Sequence, residues 1–126
     1  MNGRMLEGKT ILIVEDEALL ALDLTFTMQD MGATVVGPCC RLRAALEAAD
    51  AAPLDGAILD VDLAGETVFP LADALVRGKV PFVFHTGRQN PGDLLLRYAD
   101  ARVCAKPSTP ETVAEELTRL MGLDAA

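Results

Sequence analysis

Five residues stand directly after short apolar runs, and their types together suit one kind of chemistry. Residues 9–14 lead into the acids Glu15 and Asp16, residues 57–59 into Asp60, residues 80–85 into Thr86, and residues 101–105 into Lys106. Carboxylates brought close together repel unless a cation joins them, so the three acids make a natural place for a hard divalent ion. Mg²⁺ suits such a place, because it accepts a few carboxylates and keeps its other positions for water or phosphate oxygens. A carboxylate beside that ion can attack phosphorus, while metal, hydroxyl and ammonium hold the three equatorial oxygens of the transferring group. The set therefore reads as machinery for phosphoryl transfer onto Asp60. Taken alone, Asp60 would be read as a turn cap; its convergence with the other four gives it a chemical role.

Such chemistry requires an architecture that carries positions 15, 16, 60, 86 and 106 to one edge. Short, β-branched or continuous apolar runs predict buried strands over residues 9–14, 33–36, 57–63, 80–86 and 101–105. Gly37-Pro38 is expected to stop the second strand, and Ala64-Gly65 to break the third. Between the strands the pattern turns helical. A first helix spans 18–31 and closes at Gly32, and an Ala-rich one begins at Arg41, with Cys39-Cys40 at its entrance. A third spans 68–77 with Pro70 in its first turn, and a short one occupies 91–98. The last begins after Thr109, its expected N-cap, and runs to about Met121. Strands alternating with helices predict an α/β fold with a doubly wound, five-stranded parallel sheet and helices on both faces. Ligands of such sheets sit beyond the carboxyl ends of the strands, where all five residues fall.

Composition bounds the rest. The chain has 126 residues, 51% of them hydrophobic, and a net charge of −8, which fits one domain with a substantial core and no nucleic-acid-binding face. No basic run offers a membrane-surface patch, and no apolar run is long enough to span a bilayer. The three cysteines make neither a disulfide framework nor a zinc site, so reduced thiols in a cytoplasmic protein are expected. Cys104 reads as a core filler, His85 as a half-buried strand residue, and Tyr98 as packing or snorkelling at its helix end.

In order and spacing, Glu15-Asp16, Asp60, Thr86 and Lys106-Pro107 resemble the response-regulator receiver domain of two-component signalling, over nearly the whole chain. The stretch Pro81-Phe82-Val83-Phe84-His85-Thr86-Gly87 is similar to a stand-alone type whose fourth strand reads Pro-Phe-x-Phe-Ala-Thr-Gly. The resemblance implies the flavodoxin-like strand order 2-1-3-4-5, phosphorylation at Asp60, and Mg²⁺ held by Glu15, Asp16, Asp60 and the backbone carbonyl of Asp62. It implies phosphoryl binding by Thr86 and Lys106, and as partner a sensor histidine kinase or histidine phosphotransfer protein. A single receiver domain over 1–126 is expected, monomeric or weakly dimeric. Only Leu123-Asp124-Ala125-Ala126 follow the last helix, leaving no room for an output domain, so signalling would proceed by changed protein binding. Three departures stand out: Ala64 where receivers usually carry Pro, Val103 in place of the usual aromatic of the fifth strand, and His85 where a small residue is preferred.

Asp62 and Arg88, two residues beyond Asp60 and Thr86, flank the path of attacking water. They are either a paired partial lid that tunes the life of the phosphoryl group or solvated loop charges. Within the first helix, Leu20, Leu24, Thr27, Met28 and Met31 form a core stripe, while Leu19, Leu22 and Phe26 form a second apolar stripe. By the resemblance, that second stripe and Pro107 are docking residues for the kinase. The alternatives are a shifted register or shelter beneath the N-terminal segment. Two other functions compete. Asp60-Val61-Asp62 resembles the Asp-x-Asp nucleophile motif of haloacid-dehalogenase-type phosphatases, but there the motif follows the first strand. A degenerate receiver acting only as a binding module fits Ala64 and Val103, yet not the intact acids, Thr86 and Lys106. Flavin binding is weaker again, since no phosphate loop follows the first strand.

Overall fold

The continuous apolar runs are buried on both faces, which is what a central parallel sheet demands. In the computed structural model, which describes residues 4–123, five strands form that sheet: β1 (Thr10–Val14), β2 (Thr34–Cys39), β3 (Gly56–Leu59), β6 (Phe82–Thr86) and β7 (Arg102–Ala105). Their order is β2-β1-β3-β6-β7, every pairing parallel. In terms of the sheet alone this is 2-1-3-4-5. The connecting helices are α1 (Ala18–Asp30), α2 (Leu42–Ala51), α3 (Phe69–Arg77), α4 (Gly92–Arg97) and α5 (Pro110–Leu120). Alternate strand residues divide the core in two. Leu12, Leu59, Phe82 and Phe84 pack with residues of α2, α3 and α4 on one face. Ile11, Ile13, Ile58 and Val83 pack with Leu24 and Met28 of α1 and Val113 and Leu117 of α5 on the other. Thr109 caps α5, its Oγ1 accepting the Thr112 N–H at 3.1 Å.

Three local readings need correction. Gly37-Pro38 does not stop the second strand: β2 runs on to Cys39, with a register shift opposite β1 between Leu12 and Val14. Gly37 lies at φ +98°, and a Cβ there would stand 2.7 Å from the Ile13 carbonyl oxygen, so only glycine passes. Pro38 is tolerated because β2 is an edge strand. Cys39 accordingly belongs to the strand rather than to a helix entrance, and Arg41 is the residue before α2.

The run 57–63 is not one strand either. Pairing ends at Leu59, and Asp62–Leu63 (β4) turns back on Glu66–Thr67 (β5) as a small antiparallel hairpin. Its two-residue turn, Ala64 at φ +47° and Gly65 at φ +89°, has the doubly left-handed backbone that matches hairpin twist. Val61 and Leu63 remain fully buried against the α2–α3 face, which explains why the sequence stays apolar past Asp60.

His85 is buried outright, 1% exposed, rather than half-buried. Tyr98 ends α4 and is packed inward, its ring 5.3 Å from that of Phe84 and its hydroxyl donating to Asp73 Oδ1 at 2.7 Å. Residues 124–126, most of the tail read as following the last helix, lie outside the described residues. Among the described residues, no helix is long and apolar enough to cross a membrane.

Candidate functional site

Backbone hydrogen bonds just past the strand ends fix Glu15, Asp60 and Lys106. The Glu15 N–H donates to the Cys39 carbonyl at 2.9 Å, a bond that exists because β2 continues past its glycine. The Asp60 N–H donates to the Val14 carbonyl at 2.9 Å, and the Lys106 N–H to the Thr86 carbonyl at 2.8 Å. The sheet's ladder is thus extended by one rung at Glu15, Asp60 and Lys106.

The side chains converge. Glu15, Asp16 and Asp60 each offer a carboxylate oxygen within 4.8 Å of the others, Glu15 and Asp60 buried and Asp16 exposed. Lys106 Nζ lies 3.1 Å from Glu15 Oε1, 3.3 Å from Asp60 Oδ2 and 3.2 Å from Glu17 Oε1. Burial, and then the neighbouring Glu15 charge, push the Asp60 carboxyl up to about 7, against the opposing pull of Lys106. Burial works against the charge of Lys106 too, but the Asp60 and Glu15 carboxylates outweigh it and raise its affinity for the proton. One ammonium therefore leaves the cluster short of positive charge. That shortage, with three hard oxygen donors close together, is what a divalent ion such as Mg²⁺ fits.

Thr86 is buried at the end of β6, and its Oγ1 accepts the Arg88 N–H at 3.1 Å. Arg88 and Asp62 meet in a two-pronged pair: Nε to Asp62 Oδ2 at 3.1 Å and Nη2 to Asp62 Oδ1 at 2.9 Å. This bond to Arg88 holds the Asp62 carboxyl below the usual carboxylate range.

Leu19, Leu22 and Phe26 are 79%, 46% and 55% exposed, so no register shift buries them and the described part of the N-terminal segment does not cover them. Leu24 and Met28 of the opposite stripe are fully buried. Of the N-terminal segment, the described residues from Arg4 on dock elsewhere, Leu6 inserting into the core and its N–H donating to the Met31 carbonyl at 2.8 Å. Pro107 is exposed beside Lys106.

Three participants escaped the sequence reading. Glu17 shares Lys106, although it was visible as the third acid of its run. Asp93, in the first turn of α4, is a second carboxylate for Arg88 at 3.2 Å, and five residues' separation across a loop gave no signal. The Ala64 N–H donates to Asp16 Oδ2 at 3.2 Å, a bond that proline at this position could not make.

No family model matches the sequence, and no curated protein is significantly similar to it. Solved structures are similar over nearly the full chain. SdrG from Sphingomonas melonis Fr1 is 38% identical, with a TM-score of 0.76 over 90% of this chain and 96% of its own. The chemotaxis response regulator CheY4 of Vibrio cholerae is 26% identical, with a TM-score of 0.76 over 89% of this chain and 98% of its own. A response regulator receiver protein from Sinorhizobium medicae WSM419 is 25% identical, with a TM-score of 0.81 over 93% of this chain and 97% of its own.

Proposed function

This chain belongs to the response-regulator receiver domains, phosphoacceptor modules rather than enzymes, and on that premise we propose that Asp60 accepts a phosphoryl group from the phosphohistidine of a sensor histidine kinase or histidine phosphotransfer protein. The observation that carries this reading is the meeting of Glu15, Asp16, Asp60 and Lys106 at one sheet edge, with Asp60 only partly compensated in charge.

In the proposed reaction an Asp60 carboxylate oxygen forms the new P–O bond as the donor's P–N bond breaks, and the histidine nitrogen leaves with the electron pair. Lys106 moves from pairing with carboxylates to pairing with a phosphoryl oxygen, and the Thr86 hydroxyl donates to another. Glu15, Asp16 and Asp60, with the Asp62 backbone carbonyl, would hold Mg²⁺, which supplies charge neutralisation between the acids and the incoming phosphoryl group. The Arg88–Asp62 pair flanks Asp60 and shields the product from water. Leu19, Leu22, Phe26 and Pro107 would form the surface on which the donor docks. Output then lies in what the modified surface binds.

Labelled phosphate from a phosphorylated kinase, transferred in the presence of Mg²⁺, should appear on the protein as an acid-stable, base-labile adduct. It should be missing from Asp60→Asn and after chelation of the metal. Label that persists in Asp60→Asn would overturn the assignment.

A further inference from the structure

Helix α4 has six residues, no side-chain cap at its start, and a single buried residue, Leu94. A helix that short does not hold itself together and depends on what fastens it. Its first turn is held by the Pro91 carbonyl, which accepts the Leu94 and Leu95 N–H groups at 2.9 and 3.3 Å. It is tied to the rest of the fold by Asp93, which uses its two oxygens differently: Oδ1 also accepts the Leu94 N–H at 3.0 Å, and Oδ2 accepts from Arg88 Nη1 at 3.2 Å. The same guanidinium grips Asp62 through Nε and Nη2 and lies 5.9 Å from the centre of the Phe69 ring at the start of α3. The backbone N–H of Arg88, meanwhile, is bonded to the Thr86 hydroxyl. One residue thus joins the acceptor edge, the β4–β5 hairpin, α3 and α4.

We propose that Arg88 is a charge-operated latch, holding the first turn of α4 through Asp93 while Asp60 is unmodified and releasing it when a phosphoryl group on Asp60 draws the guanidinium away. The proposal rests on the phosphoacceptor reading of Asp60 and adds to it a route to α4. Of the guanidinium's two carboxylate contacts, the one to Asp93 is single-pronged and more exposed, and so is the weaker. A phosphoryl group brings roughly −1.5 to −2 charges and three strong acceptor oxygens to the neighbourhood of Asp62 and Thr86. It competes for the N–H donors that Asp62 does not occupy, and the contact to Asp93 is the one lost. The outer residues of α4 are Leu95 and Leu96, 50% and 89% exposed, so release of the helix alters an apolar surface.

The test is amide hydrogen exchange over residues 92–97, in the wild type and in Asp93→Asn, with and without Mg²⁺ and beryllofluoride as the phosphoryl mimic. Asparagine keeps an oxygen for the Leu94 N–H and removes only the charge that Arg88 holds. Asp93→Asn alone should speed exchange in α4 several-fold while leaving β3 protected. The mimic should bring the wild type to the same level and add nothing to the variant. Wild-type exchange rates in Asp93→Asn would overturn the latch, as would signals of Thr86 and Lys106 that shift with the mimic while α4 stays unchanged. If the mimic moved neither Thr86 nor Lys106, the phosphoacceptor reading would fall, and the latch with it.

Discussion

Two buried titratable side chains pull the stability of this protein in opposite directions. Asp60 has its carboxyl raised from an ordinary 3.8 to about 7, so between those values the folded chain binds a proton that the unfolded chain does not, and stability falls as pH rises. His85 is lowered from 6.5 to about 4, by burial first and by Lys106 second, and both ring nitrogens lack a hydrogen-bond partner. Between about 4 and 6.5 the unfolded chain therefore binds the extra proton, and stability rises with pH. Each contribution is on the order of a few kcal/mol, and the windows nearly coincide. In urea unfolding with a chelator present, the wild type should be nearly level across this range. Asp60→Asn should slope upward with pH and His85→Leu downward; parallel profiles for all three proteins would refute the opposition. At the same scale, the two-pronged Arg88–Asp62 pair should slow hydrolysis of the phosphoryl group. Arg88→Ala and Asp62→Asn should each shorten its lifetime several-fold, with Mg²⁺ affinity nearly unchanged, as followed by loss of label.

Among the elements, α1 has apolar residues on two sides and a sheet beneath only one of them. Leu22 and Phe26 are exposed on the side away from the sheet and belong to the proposed donor-docking surface. Leu22→Ala with Phe26→Ala should slow transfer from the kinase at least tenfold, equivalent to about 1.4 kcal/mol of lost contact, while phosphorylation by a small phosphodonor stays normal. Equal loss in both assays would make these residues part of the fold. The strands and helices were largely legible because buried parallel strands read as unbroken apolar runs and Gly32, Pro70 and Thr109 mark helix ends by their chemistry. Less legible was the hairpin at Asp62–Leu63, since Val61 and Leu63 are as buried as the strand before them and hydrophobicity does not record a change of direction. The continuation of β2 was hidden for a similar reason: Gly37 and Pro38 have the composition of a turn, and only the approach of the Ile13 carbonyl shows why a strand needs them. The acceptor-edge residues could be found from order and spacing, whereas Asp93 and the Ala64 N–H act through loop geometry that spacing does not encode.

For the whole molecule, the acid cluster is a local cost that ligand binding relieves. A ligand bound only by the folded state stabilises it by about 2.7 kcal/mol at a hundred times its Kd, which for a domain of this size raises the melting temperature by roughly 10 °C. Saturating Mg²⁺ should produce a shift of that order in the wild type, measured calorimetrically at neutral pH. Asp60→Asn should start from a higher melting temperature without the metal and gain little on adding it. An equal gain in both proteins would separate metal binding from Asp60.

The bend at Gly37-Pro38 has a consequence beyond its role in placing Glu15. Strand β2 forms one open margin of the sheet, and an open margin is a template on which another chain can polymerise through its own backbone. Along that margin proline offers no N–H, and the glycine beside it breaks the register a recruited strand would have to follow. The opposite margin, β7, is only four residues long. A domain with an apolar helix face already exposed on α1 is thus guarded at both sheet margins against the fibrous assembly that exposed strands invite.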